Sequence, residues 1–166
     1  MLAGSKSAGR AAYGREKLGV RIDSSAHDIP SASIDLIHTA HVLEHIGDLR
    51  PVFSEFHRLL EPGGVALIFV PNAGGRAARA LGTKWGPTVS EKHVNALTAA
   101  FLTRALTDHG FIATNRSSPF AAESVGASQE PDLEGEELLV IATKVGQRSL
   151  NQLNLLQENG LPPCDA

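Results

Sequence analysis

Residues His41 to His45 (HVLEH) bring together side chains that can bind metal ions or transfer protons. On a helix, His41 and His45 would lie four residues apart on one face, with Glu44 beside them. Imidazole nitrogens and carboxylate oxygens are both transition-metal ligands. His93 lies farther along the chain, and it is a candidate general base toward a substrate hydroxyl or amine, because imidazole can exchange a proton near neutral pH.

The composition is that of an ordinary globular protein. Of the 166 residues, 42% are hydrophobic and 20% are charged, which suits one domain with one core. The net charge of −3 and the scarcity of aromatic residues argue against a nucleic-acid partner. The single cysteine, Cys164, cannot form a disulfide within the chain, and no apolar run suits a signal peptide or a membrane span. We expect a soluble, cytoplasmic protein that does not bind membranes.

Hydrophobic periodicity predicts the elements that must position these side chains. Strands are expected at residues 20–23, 34–39, 65–70, 111–117 and 137–144, and helices at residues 5–18, 49–60, 77–81 and 98–109. The alternation predicts an α/β fold with a mostly parallel sheet, and the last two strands, joined only by a loop, predict a C-terminal antiparallel hairpin.

Two finer expectations concern burial. The continuously apolar residues 65–70 indicate a strand that is covered on both faces. The helix at residues 98–109 is expected to turn four side chains inward: Phe101, Leu102, Ala105 and Leu106. The polar residues 146–166 are expected to form a tail outside the domain.

Residues 33–72, SIDLIHTAHVLEHIGDLRPVFSEFHRLLEPGGVALIFVPN, resemble the methyltransferase domain family known as types 11, 12 and 23. The family pattern begins with a strand, continues through v-l-E-H and E-x-x-R to P-G-G, and ends with another strand and P-N. Residues 91–111, EKHVNALTAAFLTRALTDHGF, are similar to its next landmark. The resemblance implies a class I methyltransferase with S-adenosylmethionine as cofactor, a partial Rossmann-like sheet, and a domain over residues 1–145.

One departure from the family pattern concerns the cofactor. The glycine-rich loop that approaches the methionine part of S-adenosylmethionine has no counterpart in this sequence. Ser25 takes the position of the acidic residue that usually contacts the adenine amine. The usual strand order, 3-2-1-4-5-7-6, has the first strand at its centre, so without that strand the fourth would expose an edge able to self-associate. Another chain could fill that gap, but we expect an incomplete domain, either because this sequence starts too late or because it is a fragment.

The resemblance also assigns site residues. It places five residues at the cofactor: Ser25, Ala26, Thr39, Ala40 and His41. Asn72 is placed near the acceptor or the methionine end, although a strand-ending turn explains Pro71 and Asn72 equally well. Trp85 is a candidate for closing the acceptor pocket, and a buried plug is its alternative role.

Two metal-dependent alternatives exist for the HVLEH segment. Its H-x-x-E-H order is that of inverted zinc metallopeptidases, which need a further glutamate on a long helix. The available candidates, Glu55 and Glu61, are already accounted for by the methyltransferase pattern, so a zinc peptidase is a remote alternative. Small-RNA 2′-O-methyltransferases hold a divalent ion with E-x-x-E-H and a later histidine, and the corresponding residues here are His41, Glu44, His45 and His93. In the favoured interpretation Glu44 and His45 orient the cofactor loop or cap the next helix, and we expect no metal.

The leading prediction is transfer of the S-adenosylmethionine methyl group to oxygen, nitrogen or carbon of a small-molecule acceptor. Such a reaction requires little beyond alignment of the reacting atoms, so a base such as His93 is optional. The alternative is a non-catalytic methyltransferase-like module or inactive fragment that serves in interactions. The missing glycine-rich loop favours that alternative.

Overall fold

A mixed four-stranded sheet is the main element of the part of the chain that the structure describes. The computed structural model describes residues 2–4, 8–19, 21–23, 26–89, 92–118 and 133–146. In chain order the strands are β1 (Leu2–Gly4), β2 (Arg21–Asp23), β3 (Ile34–Ala40), β4 (Leu60–Pro71), β5 (Phe111–Ser118) and β6 (Glu137–Lys144). The predicted tail, beyond residue 146, lies outside the described residues.

Helices fill the connections between the strands. They are α1 (Ala8–Leu18), α2 (Arg50–Leu59), α3 (Arg76–Leu81), α4 (Gly86–Val89) and α5 (Ala99–Asp108), with short 3-10 turns at Leu43–His45 and Gly82–Lys84. Each longer predicted helix is present to within a few residues. Strand β1 was not predicted, because three residues are too few to show an alternating pattern. Within the described part of the chain, every helix falls short of the length and apolarity that a membrane crossing requires.

The strand order in the main sheet is β3-β4-β6-β5. Strands β3 and β4 are parallel, whereas β6 is antiparallel to both β4 and β5. This is the 4-5-7-6 half of the strand order that the resemblance implied, so the α/β class and the C-terminal antiparallel pair are confirmed. Three of its four strands, β3, β4 and β5, run in the same direction, and β6, inserted between β4 and β5, runs antiparallel to both.

Strands β1 and β2 form a separate parallel pair. In the family order they occupy the positions of the second and third strands. Among the described residues, nothing pairs with the outer edge of β3. The expected exposed edge is therefore present on β3, and Leu36 on that strand is 54% exposed.

The core lies on one face of this sheet. Along β4 the alternate residues Ala66, Ile68 and Val70 are fully buried, while the residues between them are only partly buried. The prediction that residues 65–70 are covered on both faces is therefore wrong for the described residues. Helices α2 and α5 cover the buried face, and the main contributors from outside β4 are Leu43, Leu49, Phe53, Leu97, Leu102, Leu106, Phe111, Leu138 and Val140.

Helix α5 shows why only part of its predicted stripe is inward. Thr98 begins the helix, and its side-chain oxygen accepts a hydrogen bond from the Phe101 backbone N–H. Leu102 and Leu106, one turn apart, are fully buried, and Ala105 packs beside them. Phe101 is 50% exposed, so its predicted inward orientation is wrong; it lies a helical step of about 100° from Leu102 and off the buried stripe.

Phe53 of α2, which is buried, and Phe101 of α5, which is half exposed, offer a matched test of this packing. Phe53→Ala should lower the free energy of unfolding by about 3–5 kcal/mol, because it removes a ring that is 1% exposed and leaves a cavity. Phe101→Ala should cost about 1 kcal/mol or less, because half of that ring is already in water. Urea denaturation of both variants measures the difference, and equal losses would contradict this account of the core.

Candidate functional site

The carboxyl ends of β3 and β4 lie at the same edge of the sheet. Ala40 pairs with Phe69, and the next backbone N–H, that of His41, donates to the Phe69 carbonyl at 2.9 Å. Glu137, the first residue of β6, pairs with Pro71 at the end of β4. Parallel strands in open α/β sheets place ligands at this edge. The predicted site segments after β3 and β4 are thus neighbours.

His41 ends β3 with an unusual backbone conformation. Its φ of 52° lies in the left-handed region, which is uncommon for residues other than glycine. A residue there cannot continue a right-handed helix, so helical structure begins only at the 3-10 turn Leu43–His45. The prediction that His41 and His45 share a helix face is therefore wrong.

The His41 ring lies between two carboxylates. Its Nε2 is 2.9 Å from Glu137 Oε1, and its Nδ1 is 3.3 Å from Glu44 Oε1. The zinc-peptidase alternative fails on the same geometry, since it requires a helix that carries both histidines toward one ion. Its proposed third ligands are also elsewhere: Glu55 pairs with Arg58, and Glu61 is an exposed residue of β4.

Glu44 is buried at the base of the site, with 1% of its surface exposed. Its backbone carbonyl accepts hydrogen bonds from the backbone N–H groups of Val94, at 2.8 Å, and Asn95, at 3.1 Å. These bonds fasten the segment after His93 to the 3-10 turn. Both carboxylate oxygens are buried without a hydrogen-bond partner among the described residues.

His45 and His93 are brought together by this fastening, although they lie far apart in the sequence. Their ring centroids are 4.7 Å apart in an edge-on arrangement. His45 Nδ1 is 2.8 Å from the Lys92 carbonyl oxygen, and His93 Nδ1 is 3.0 Å from the Pro87 carbonyl oxygen. A carbonyl can only accept, so each ring places an N–H on Nδ1, and in the neutral ring this leaves a lone pair on Nε2.

A cavity of about 150 Å³ opens beside His93 at the end of β4. Its lining residues are Pro71, Trp85, Pro87, Thr88, His93, Val94, Asn95, Ala96 and Leu97. Trp85 is 6% exposed, so it is both a buried plug and part of the cavity wall. The structure thus brings together the predicted base and the predicted pocket-closing residue.

Asn72 is buried, and its side chain is fully occupied with backbone groups. The amide nitrogen donates to the carbonyls of Leu133 and Gly135, each at 2.8 Å, and the amide oxygen accepts from the Gly74 N–H at 3.1 Å. Because both amide hydrogens are already donated to these carbonyls, the Asn72 side chain has no hydrogen left to donate to a bound methyl acceptor. These bonds support the strand-ending role, and its predicted substrate contact stays a prediction.

The other residues predicted to contact the cofactor belong to two segments of the chain. Ser25 lies outside the described residues. Thr39 is half-buried and Ala40 is exposed at the end of β3. The backbone carbonyl of Ala26 accepts a hydrogen bond from the Arg58 guanidinium at 3.0 Å.

Arg58 is a positioning residue that was not singled out from the sequence. Besides Ala26, its guanidinium donates to the Ile29 carbonyl and makes two hydrogen bonds to Glu55. Those bonds lower the pKa of the Glu55 carboxyl below its usual value, so the pair stays ionised at neutral pH. The signal was present as the E-x-x-R spacing of Glu55 and Arg58, which places a carboxylate and a guanidinium one helical turn apart.

Solved structures of two proteins share this fold. One is an S-adenosylmethionine-dependent methyltransferase from Thermotoga maritima, described as a possible histamine N-methyltransferase, with a TM-score of 0.67 and 19% identity over 85% of this chain and 72% of that one. The other, an S-adenosylmethionine-dependent methyltransferase from Archaeoglobus fulgidus, has a TM-score of 0.65 and 13% identity over 86% of this chain and 75% of that one. The fold is that of class I S-adenosylmethionine-dependent methyltransferases.

Sequence comparison gives the family. A probable S-adenosylmethionine-dependent methyltransferase from Mycolicibacterium smegmatis is 36% identical over 83 residues, which cover 50% of this chain and 30% of that protein. The family model described as a methyltransferase domain matches residues 9–114. The chain therefore belongs to the methyltransferase domain family, and the cofactor of this class is S-adenosylmethionine. The match spans less than a third of the curated relative's length.

The role of Asn72 as a clamp between β4 and residues 133–135 can be tested against Asn115. Asn72→Ala should lower the free energy of unfolding by about 2–3 kcal/mol, because it leaves two carbonyl groups of the clamp without their donor. Within the described part of the chain Asn115 makes one side-chain hydrogen bond, from its amide to Thr103, so Asn115→Ala should cost about 1 kcal/mol. Urea denaturation compares them, and an Asn72→Ala loss no larger than that of Asn115→Ala would contradict the clamp.

Proposed function

We propose that this chain transfers the methyl group of S-adenosylmethionine to an oxygen, nitrogen or carbon atom of a small molecule. One observation carries the proposal: the cavity that contains His93 and Trp85 adjoins Pro71, at the same sheet edge where β3 ends in Ala40. A cofactor held after β3 and an acceptor held after β4 would thus be neighbours. Holding nucleophile, methyl carbon and sulfur in line supplies most of the rate enhancement of such a transfer.

The residues at the end of β3 fit one side of the cofactor. Ala40 has a small, exposed side chain and Val42 is 45% exposed, so together with the half-buried Thr39 they offer apolar surface to a flat base. The left-handed backbone of His41 turns the chain away from the sheet there. We assign Ser25, Ala26, Thr39, Ala40 and His41 to this side. The bound cofactor supplies the electrophilic methyl group on its sulfonium.

On the acceptor side, His93 is assigned the role of base. Its Nδ1–H is committed to the Pro87 carbonyl, which leaves the Nε2 lone pair to take a proton from an acceptor hydroxyl or amine. Trp85 closes the cavity. Asn72 has an indirect role, because it holds residues 133–135 against the end of β4, next to the cavity wall at Pro71.

The cavity also indicates the kind of acceptor. Its lining combines apolar side chains, among them Trp85 and Leu97, with polar ones, among them His93 and Asn95. A volume of about 150 Å³ is that of a cavity that holds a benzene-sized group. We therefore propose an acceptor whose hydroxyl or amine is attached to a ring or a compact apolar group.

Calorimetry and transfer of a labelled methyl group test the proposal. The purified 166-residue chain should release heat on binding S-adenosylmethionine and should label compact phenols or amines. His93→Gln should lower kcat by about 10²–10⁴-fold with cofactor binding retained, because only the proton acceptor is removed.

His38→Gln is the matched control, because His38 is an exposed histidine of β3 that contacts Phe69. It should leave the rate unchanged. Absence of heat with S-adenosylmethionine at high protein concentration would reject the enzyme for this chain and favour the non-catalytic module.

The outer edge of β3 favours a second function, association through the sheet. An edge strand presents unpaired backbone groups that can add a further strand, and Leu36 adds exposed apolar surface there. We propose that two copies associate along β3.

Charged substitutions at the two edges of the sheet test whether the copies associate along β3 or along the other edge strand, β5. Leu36→Lys should shift the chain toward monomer in sedimentation velocity, because a lysine on an edge strand opposes pairing. Ile112→Lys places the same charge on the similarly exposed edge strand β5 and should have no effect. A wild-type chain that sediments as a monomer, or one dissociated only by Ile112→Lys, would refute the β3 interface.

A further inference from the structure

Three ligand groups converge beside the cavity: the Glu44 carboxylate and the rings of His45 and His93. Each residue offers one potential ligand atom, and these three atoms all lie within 4.8 Å of one another. His45 Nε2 is 3.9 Å from Glu44 Oε1. They come from the 3-10 turn Leu43–His45 and from the segment that is hydrogen-bonded to it through Val94 and Asn95.

The two histidines are oriented as metal ligands are. In such ligands the second ring nitrogen usually donates its hydrogen to a backbone carbonyl, a carboxylate or water, which fixes the tautomer and frees the other nitrogen for the ion. Here both Nδ1 atoms are within 3.0 Å of backbone carbonyl oxygens, those of Lys92 and Pro87. Both Nε2 atoms therefore carry lone pairs.

The carboxylate gives an independent indication of a cation. Glu44 is 1% exposed, and neither of its oxygens accepts a hydrogen bond among the described residues. His41 Nδ1 lies 3.3 Å from Glu44 Oε1, close enough for an ion pair but without the geometry of a hydrogen bond. A buried carboxylate facing nitrogen lone pairs is costly unless a positive charge lies among them.

We propose that Glu44, His45 and His93 bind one divalent transition-metal ion. Two imidazoles and one carboxylate suit Zn²⁺, Co²⁺ or Fe²⁺ better than Mg²⁺, which prefers oxygen ligands. With the ligand atoms within 4.8 Å of one another, shifts of less than about 1 Å per side chain bring them to bonding distance. His41, which the sequence grouped with these residues, falls outside the cluster and lies against Glu137.

His45 is 38% exposed, so the site can keep a coordination position open. An ion there would lie next to the cavity that His93 also lines, where it could bind an acceptor oxygen and favour loss of its proton. With Nε2 bound to the ion, His93 would serve as a ligand instead of as the base, and the acceptor's proton would pass to solvent water. The binding of the ion itself does not depend on methyl transfer, and it is measured without cofactor or acceptor.

The test is a calorimetric titration of metal-free chain with Zn²⁺, in a Cys164→Ser background so that the only thiol in the sequence cannot compete. We expect one ion per chain. Glu44→Gln and His93→Gln should each lower the affinity at least about 10-fold, the loss that even an outer-shell substitution can cause. His38→Gln should bind as the background does, and circular dichroism checks that each variant is folded.

A second readout needs no variant at these positions. In long-range ¹H–¹⁵N spectra of the histidine rings, Zn²⁺ should shift the Nε2 resonances of two rings that keep their hydrogen on Nδ1. The proposal is overturned by a chain that takes up no Zn²⁺, by Glu44→Gln and His93→Gln variants that bind it as the background does, or by shifts confined to other histidines. Mg²⁺ binding in preference to Zn²⁺ would likewise refute the assigned ligand set.

Discussion

The parallel pairing of β3 with β4 is the constraint on which the site depends. Because both strands run in the same direction, the segments that follow Ala40 and Pro71 emerge at one edge, only two residues out of register. Strand β6 strengthens this arrangement, since its antiparallel course brings Glu137 to the same edge, within 2.9 Å of His41. Side chains from three strands thus meet without long loops to position them.

Glu44 connects this edge of the sheet to the cavity. Its backbone carbonyl holds the segment after His93, and that segment forms one wall of the cavity. Its buried carboxyl group lies beside the rings of His45 and His93. The proposed acceptor cavity and the proposed metal site therefore share His93, and a change at the 3-10 turn is expected to affect both.

Much of the fold could be predicted from local pattern. Strand β6 was bounded correctly because a short apolar run, residues 138–142, is typical of a strand, and helix α2 because its apolar residues recur once per turn. Prediction failed where distant residues decide the conformation. Apolar residues 65–70 could not reveal that only one face of β4 is fully buried, and Phe101 has the hydrophobicity of a core residue while lying off the buried stripe.

The candidate site divides in the same way. By itself the sequence determined the family and the residue types at the strand ends, because the order of the motifs and the residues that follow each strand can be read directly from it. The tertiary structure alone decided that His93 meets His45 while His41 turns to Glu137, that the Asn72 amide is occupied, and that Arg58 holds the loop at Ala26. These contacts join residues from different elements, and their partners are set by sheet register and long-range backbone hydrogen bonds, neither of which local periodicity encodes.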